Sequence, residues 1–221
     1  MSLEAMLQQG KVWQAAQQQP SNTEGVATGY QELDKCFQEA GWPSGNLVEL
    51  MYAREGCGEL RLLLPLLARE SRHARWLLLV DPPHIPYAPA LAEAGVDLNH
   101  LLLVRSSQRR DRLWCLEQAL KSGSCAVVLG WLQDADDKAI RRLQVAAAEG
   151  GSLGFIYRPV SACEHSSAAP YRLLLEPQPD STGVTVMKRR GGWPLSRRSL
   201  ALGIQALIPE ASPAAGLRLV K

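Results

Sequence analysis

The stretch AREGCGEL, Ala53 to Leu60, lies between an apolar run, Leu47 to Met51, and a periodic apolar segment, Leu60 to Leu67, at a place where a strand turns into a helix. That is the position of a phosphate-binding loop, G-x-x-x-x-G-K-[ST]. Its Lys reaches the β/γ-phosphates and its hydroxyl holds Mg²⁺. Here Ala53 stands at the first Gly, Gly58 at the second, Glu59 at the Lys and Leu60 at the hydroxyl. A carboxylate repels a triphosphate and Leu cannot ligate a metal, so the sequence predicts the shape of the loop without a nucleotide cofactor or a metal.

Outward from this loop, apolar strands alternate with helical patterns. The strands are Leu47–Met51, Trp76–Val80, Leu101–Val104, Cys125–Leu129 and Leu153–Tyr157. Helices are expected at about Glu59–Glu70, Ala88–Ala94, Asp111–Ser122 and Asp134–Ala148. Continuous apolar runs separated by helices of this length predict an α/β fold with a mainly parallel central sheet flanked by helices. After a polar loop, Arg158 to Pro170, the runs Tyr171–Leu175 and Val184–Lys188 read as a C-terminal strand pair across a Pro/Asp/Ser/Gly turn. Leu3, Met6, Leu7 and Trp13 predict an N-terminal amphipathic helix. The expected division is therefore a helix and linker over 1–25, an α/β domain over 26–203 and a flexible basic tail over 204–221.

The chain of 221 residues is 46% hydrophobic and 21% charged, enough for one sizeable core. Its net charge is only +2, but from Gly183 to Lys221 seven basic residues face one acid, Glu210. Five cysteines without C-x-x-C or Cys/His spacing argue against a disulfide framework or a zinc site and predict reduced thiols in a cytoplasm. No apolar run approaches the ~18 residues of a membrane span, and the N-terminus has no targeting pattern.

The segment ATGYQELDKCFQEAGWPSGNLVEL, Ala27 to Leu50, resembles the entry to the RecA recombinase core, with its T-G-x-x-x-L-D turn, G-x-P-x-G loop and V-E-I strand. AGVDLNHLLLV (Ala94–Val104) and VTVMKRRGGWP (Val184–Pro194) resemble two further stretches of that family in order, which implies a RecA-like core. GWPSGNLVELMYAREGCGELRLLLPLLAR, DPPHIPYAPAL and VTVMKRRGGWP together are similar to the ImuA family, RecA-like accessory proteins of an SOS mutagenesis cassette, over about residues 3 to 203. CAVVLGWL (Cys125–Leu132) and EGGSLGFIYRPVSACEH (Glu149–His165) resemble the SulA family of SOS-induced division inhibitors.

The RecA resemblance implies two more losses besides Glu59 and Leu60. Pro83 of DPPH stands at the position of the Glu that polarises the attacking water, and Gly130 of VVLGW stands where the Walker-B Asp would serve the Mg²⁺ shell. The expectation is a protein that is not an enzyme. Arg54 and Arg61 read as surface cations, His84 is isolated in a Pro-rich loop, and Trp42, Trp76, Trp114 and Trp131 read as packing residues.

Partner- or DNA-binding candidates come from the same resemblance. The loop with Arg158 and His165 corresponds to one that contacts single-stranded DNA in recombinases; with so few cations it is either a weak contact or a plain connection. Lys188 and Arg190, with Arg189 between them, match lysines that reach a neighbouring subunit's nucleotide, or form a solvated basic strand edge. The ImuA resemblance implies an accessory role in translesion DNA synthesis. Its expected partners are an ImuB-type Y-family-like protein, an error-prone DnaE-type polymerase and the RecA filament, at the nucleoid during DNA damage. The alternative is a SulA-like inhibitor binding FtsZ.

Overall fold

The computed structural model describes residues 25–179 and 181–202 and the backbone of 218–220. The expected N-terminal helix and linker lie outside these residues, except for Gly25, as does most of the expected tail. Among these residues nine strands form one sheet: β1 Leu47–Tyr52, β2 Trp76–Val80, β3 Leu101–Val104, β4 Cys125–Trp131, β5 Leu153–Pro159, β6 Tyr171–Pro177, β7 Thr182–Lys188, β8 Leu195–Leu200 and β9 Arg218–Val220. Their order is β8-β7-β6-β1-β5-β4-β2-β3-β9. The block from β6 to β9 is parallel, and β7 and β8 are antiparallel additions at one edge. The expected strand pair thus becomes β6, β7 and an unforeseen β8, whose sequence LSRRSL lacks an apolar run. Part of the expected tail, β9, pairs with β3.

Helices α1 (Gln31–Asp34), α2 (Leu64–Glu70, preceded by a 3-10 turn at Arg61–Leu63) and α3 (Ala88–Glu93) cover one face of the sheet. Helices α4 (Arg109–Lys121) and α5 (Asp137–Gly150) cover the other. Alternation along the strands fills both layers: Val48, Leu50 and Tyr52 of β1 point to the first, while Leu47 joins the second. Helix α5 starts on Asp136, whose carboxylate accepts from the Ala139 N–H at 2.8 Å, and stops at Gly151 in the left-handed conformation (φ 63°).

The T-G-x-x-x-L-D motif has a local explanation. The buried Thr28 donates its N–H to Asp34 Oδ1 at 2.7 Å, locking the turn into α1, and a side chain at Gly29 (φ +89°) would strike Pro65 of α2. Trp42 of the G-x-P-x-G loop is fully buried, edge-on to Phe155 with centroids 5.0 Å apart. Trp114 departs from its expected packing role, being 63% exposed on α4.

Candidate functional site

The loop after β1 occupies the carboxyl end of the parallel strands, the usual ligand side of open α/β sheets. Its bends use Gly56 (φ +77°) and Gly58 (φ +91°), conformations that L side chains rarely adopt. Any side chain at Gly58 would also meet Leu202 and the Thr182 hydroxyl at 2.7 Å. Glu59 turns back into its own loop: its Oε1 accepts the Gly56 N–H at 3.0 Å, and its Oε2 is buried with no hydrogen-bond partner. Backbone N–H groups of such loops are the donors that would hold a phosphate, and here one serves an internal carboxylate.

Two further contacts fix the loop from outside. The Tyr157 hydroxyl donates to the Glu59 carbonyl at 2.9 Å, and the Thr182 hydroxyl donates to the Cys57 carbonyl at 2.8 Å. Burial, followed by the Glu59 carboxylate, raises the Cys57 thiol to about 12, which keeps it a neutral, poorly nucleophilic thiol. Burial also holds the Tyr157 phenol protonated, stacked on Trp131 at 4.6 Å between centroids. A cavity of about 420 Å³ opens between Gly56–Gly58, Arg61, the β6–β7 turn and Leu202.

The other expected positions are geometrically distinct. Pro83 lies exposed beyond β2; Asp81, two residues before it, has its carboxylate 2.7 Å from Arg112. His84 pairs with Glu55 of the loop at 2.7 Å, both side chains well exposed. Arg54 and Arg61 are exposed. Gly130 is in the middle of the sheet, and a Cβ there would come within 2.7 and 2.8 Å of the two δ-methyls of Leu116. Among the described residues, no group of three or more His, Cys, Asp or Glu is placed to hold a metal, and no helix is long and apolar enough to cross a membrane.

Arg158 corrects an expectation. It is buried, 8% exposed, and its guanidinium is 2.6 Å from Glu49, so it is unavailable as a surface DNA contact. Glu49, completely buried in β1, also takes Arg172 of β6 at 2.7 Å. Arg158 donates onward to the Ala135 carbonyl, and Arg172 to the carbonyls of Ala162 and His165, so this Arg–Glu–Arg cluster ties down the loop after β5. Its signal in the sequence is an acid in the middle of the apolar strand LVELMY. His165 remains exposed, but its carbonyl serves this scaffold.

The basic candidates at the end of β7 are separate from the loop. Lys188 donates to the Ser167 carbonyl at 2.8 Å, Arg189 to the carbonyls of Trp193 and Cys36, and Arg190 to Asn46 Oδ1 at 3.2 Å.

With this geometry in place, comparison with known proteins decides between the two families. The family model described as "Cell division inhibitor SulA" matches residues 45–154, from the start of β1 into β5. A protein from Yersinia pestis named "Cell division inhibitor SulA" is 33% identical over 118 residues, 53% of this chain and 70% of its own length. The chain belongs to the SulA family. A second SulA, from Photorhabdus laumondii, is 38% identical over 112 residues, 51% of this chain and 63% of its own length, so more than a third of that relative lies outside the match. The crystal structure of SulA from Pseudomonas aeruginosa aligns with 53% of this chain and 99% of its own length, at 28% identity and a TM-score of 0.44.

Membership of the SulA family overturns the expected ImuA-type role in translesion synthesis. The expected partners, an ImuB-type protein, a DnaE-type polymerase and the RecA filament, fall with it. The physical reason is that the motifs behind that expectation are structural: Thr28 and Asp34 lock a turn, while Lys188 and Arg190 bond to neighbouring oxygens. Such scaffold motifs report architecture and do not by themselves assign a function.

Proposed function

We propose that the protein is a SulA-type inhibitor of cell division that binds FtsZ in the cytoplasm as part of the SOS response and acts by occupying its partner, without catalysis. The observation that carries this reading is the family match over residues 45–154, which contains β1 to β4, the loop after β1 and both helices of the second layer. The RecA-like character of the core is part of the proposal. It is supported by a loop of phosphate-binding outline between the parallel strand β1 and helix α2. On this reading the loop is degenerate, retained as a rigid corner after its nucleotide chemistry was lost.

Controlled overproduction in dividing cells is the direct test. Long undivided filaments are expected, together with co-sedimentation or inhibited polymerisation of purified FtsZ. Normal cell length at high expression, with FtsZ assembly unaffected, would reject the reading.

Absence of nucleotide chemistry is tested separately. Isothermal titration with Mg·ATP and with ADP is expected to give no saturable heat at micromolar concentrations, because Glu59 stands where a cation would meet the phosphates. Saturable micromolar binding that is lost on Gly58 substitution would overturn this part.

A further inference from the structure

The antiparallel edge of the sheet, β7 and β8, lies outside the family match, which ends at residue 154, and it carries a surface of its own. Strand β8 forms one end of the sheet; among the described residues nothing pairs with its outer side. Ser196 to Ser199 are exposed, while Leu195 and Leu200 turn inward to the core. The hairpin joining β7 to β8 ends in Trp193, 86% exposed. Between Thr182 and Leu200 there are five cations and no acid.

These cations are ordered largely without being neutralised. Lys188, Arg189 and Arg190 bond to uncharged oxygens, and among the described residues Arg197 alone of the five forms a carboxylate ion pair, with Glu176 at 2.7 Å. Two contacts hold the tip rigid: Gln38 donates to the Gly191 carbonyl at 2.9 Å, and Arg189 donates to the Cys36 carbonyl at 2.8 Å. A side chain at Gly191 would collide with Gln38. A pre-ordered hairpin loses little conformational freedom on binding, and exposed Trp and Arg are the side chains that most often dominate protein interfaces.

We propose that the outer edge of β8 and its hairpin bind an acidic, extended segment of a partner protein, which adds to the sheet as a further strand. Main-chain hydrogen bonds along β8 would supply the pairing, and the basic side chains the selection. Charge disfavours a second copy of this chain as the occupant, because edge-to-edge pairing would bring Arg197 and Arg198 of one copy against those of the other. A single-stranded nucleic acid would use the cations but leave the unpaired row of strand donors and acceptors without matching groups. The hairpin also offers it one exposed aromatic ring, whereas such sites stack successive bases.

The test uses the full chain and a fluorescein-labelled octapeptide of alternating Glu and Val, followed by anisotropy and by amide hydrogen exchange. Saturable binding is expected, weakened about tenfold by raising salt from 0.05 to 0.5 M, with slowed exchange in Ser196–Ser199. The combined substitutions Arg197→Glu and Arg198→Glu are expected to weaken it at least about tenfold. Should that variant fold poorly, the same peptide N-methylated at alternate residues is measured on the unaltered protein, where binding is expected to disappear. No binding, equal binding of the N-methylated peptide or of octaglutamate, or tighter binding of oligothymidylate would each overturn the proposal.

Discussion

Replacing Glu49 by Gln is expected to lower the melting temperature by roughly 10 °C, the cost of leaving two buried guanidinium groups without their counter-charge. Glu49 is completely buried and holds Arg158 at 2.6 Å and Arg172 at 2.7 Å, with both arginine side chains under one-tenth exposed. Removing one partner of a buried ion pair typically costs about 3–5 kcal/mol, and at this chain length each kcal/mol shifts the midpoint by about 2–4 °C. Replacing all three residues with apolar side chains of similar volume should recover most of the loss, since such clusters are often no more stable than a well-packed apolar core. Thermal unfolding followed by circular dichroism measures both. A single Glu49→Gln change that moves the midpoint by less than about 2 °C would mean that the cluster contributes little.

Placing an acid at position 130 of β4 should be similarly damaging. Gly130→Asp introduces a Cβ within 2.7 Å of a Leu116 methyl and places a carboxylate in a strand whose residues are all buried. Over-packing costs about 1–3 kcal/mol, and burial of an unpaired charge adds several more. The expected result is a chain that unfolds several kcal/mol earlier in urea or collects in the insoluble fraction, with no gain in nucleotide binding. Leu116→Ala relieves the collision, so the double variant should lose less than the sum of the two single changes. Strict additivity would show that Leu116 is not what excludes a side chain at this position.

The parts of the molecule readable from sequence are those where burial and backbone geometry leave one solution. Ala126 to Leu129 is apolar without interruption and β1 is broken only by Glu49 because β1 and β4 are covered on both faces, and helices of the expected length connect the parallel strands. β8 has no such pattern because an edge strand with one solvated side needs only Leu195 and Leu200 to anchor it, and its remaining residues read as a loop. Glu49 was visible as an acid in an apolar run, but its arginines come from strands more than one hundred residues away and have no local pattern. The burial of Arg158 is hidden for the same reason: a cation at a strand end looks exposed until the carboxylate beneath it is seen. The SulA family is legible in Cys125–Leu132 and Glu149–His165, but the turn locks and basic staples that suggest ImuA span the whole chain, whereas the stretch matching SulA is a continuous block in its middle.

The hydrogen bond from Gly56 to Glu59 has a consequence for how such an inhibitor would be governed. Under the proposal that this loop takes no nucleotide, it has no empty and filled forms for the cell's energy charge to interconvert. On the proposed reading its effect then follows copy number alone, and division would resume as synthesis stops and the existing molecules are removed or diluted. The inhibitor would behave as a timer set by its own lifetime.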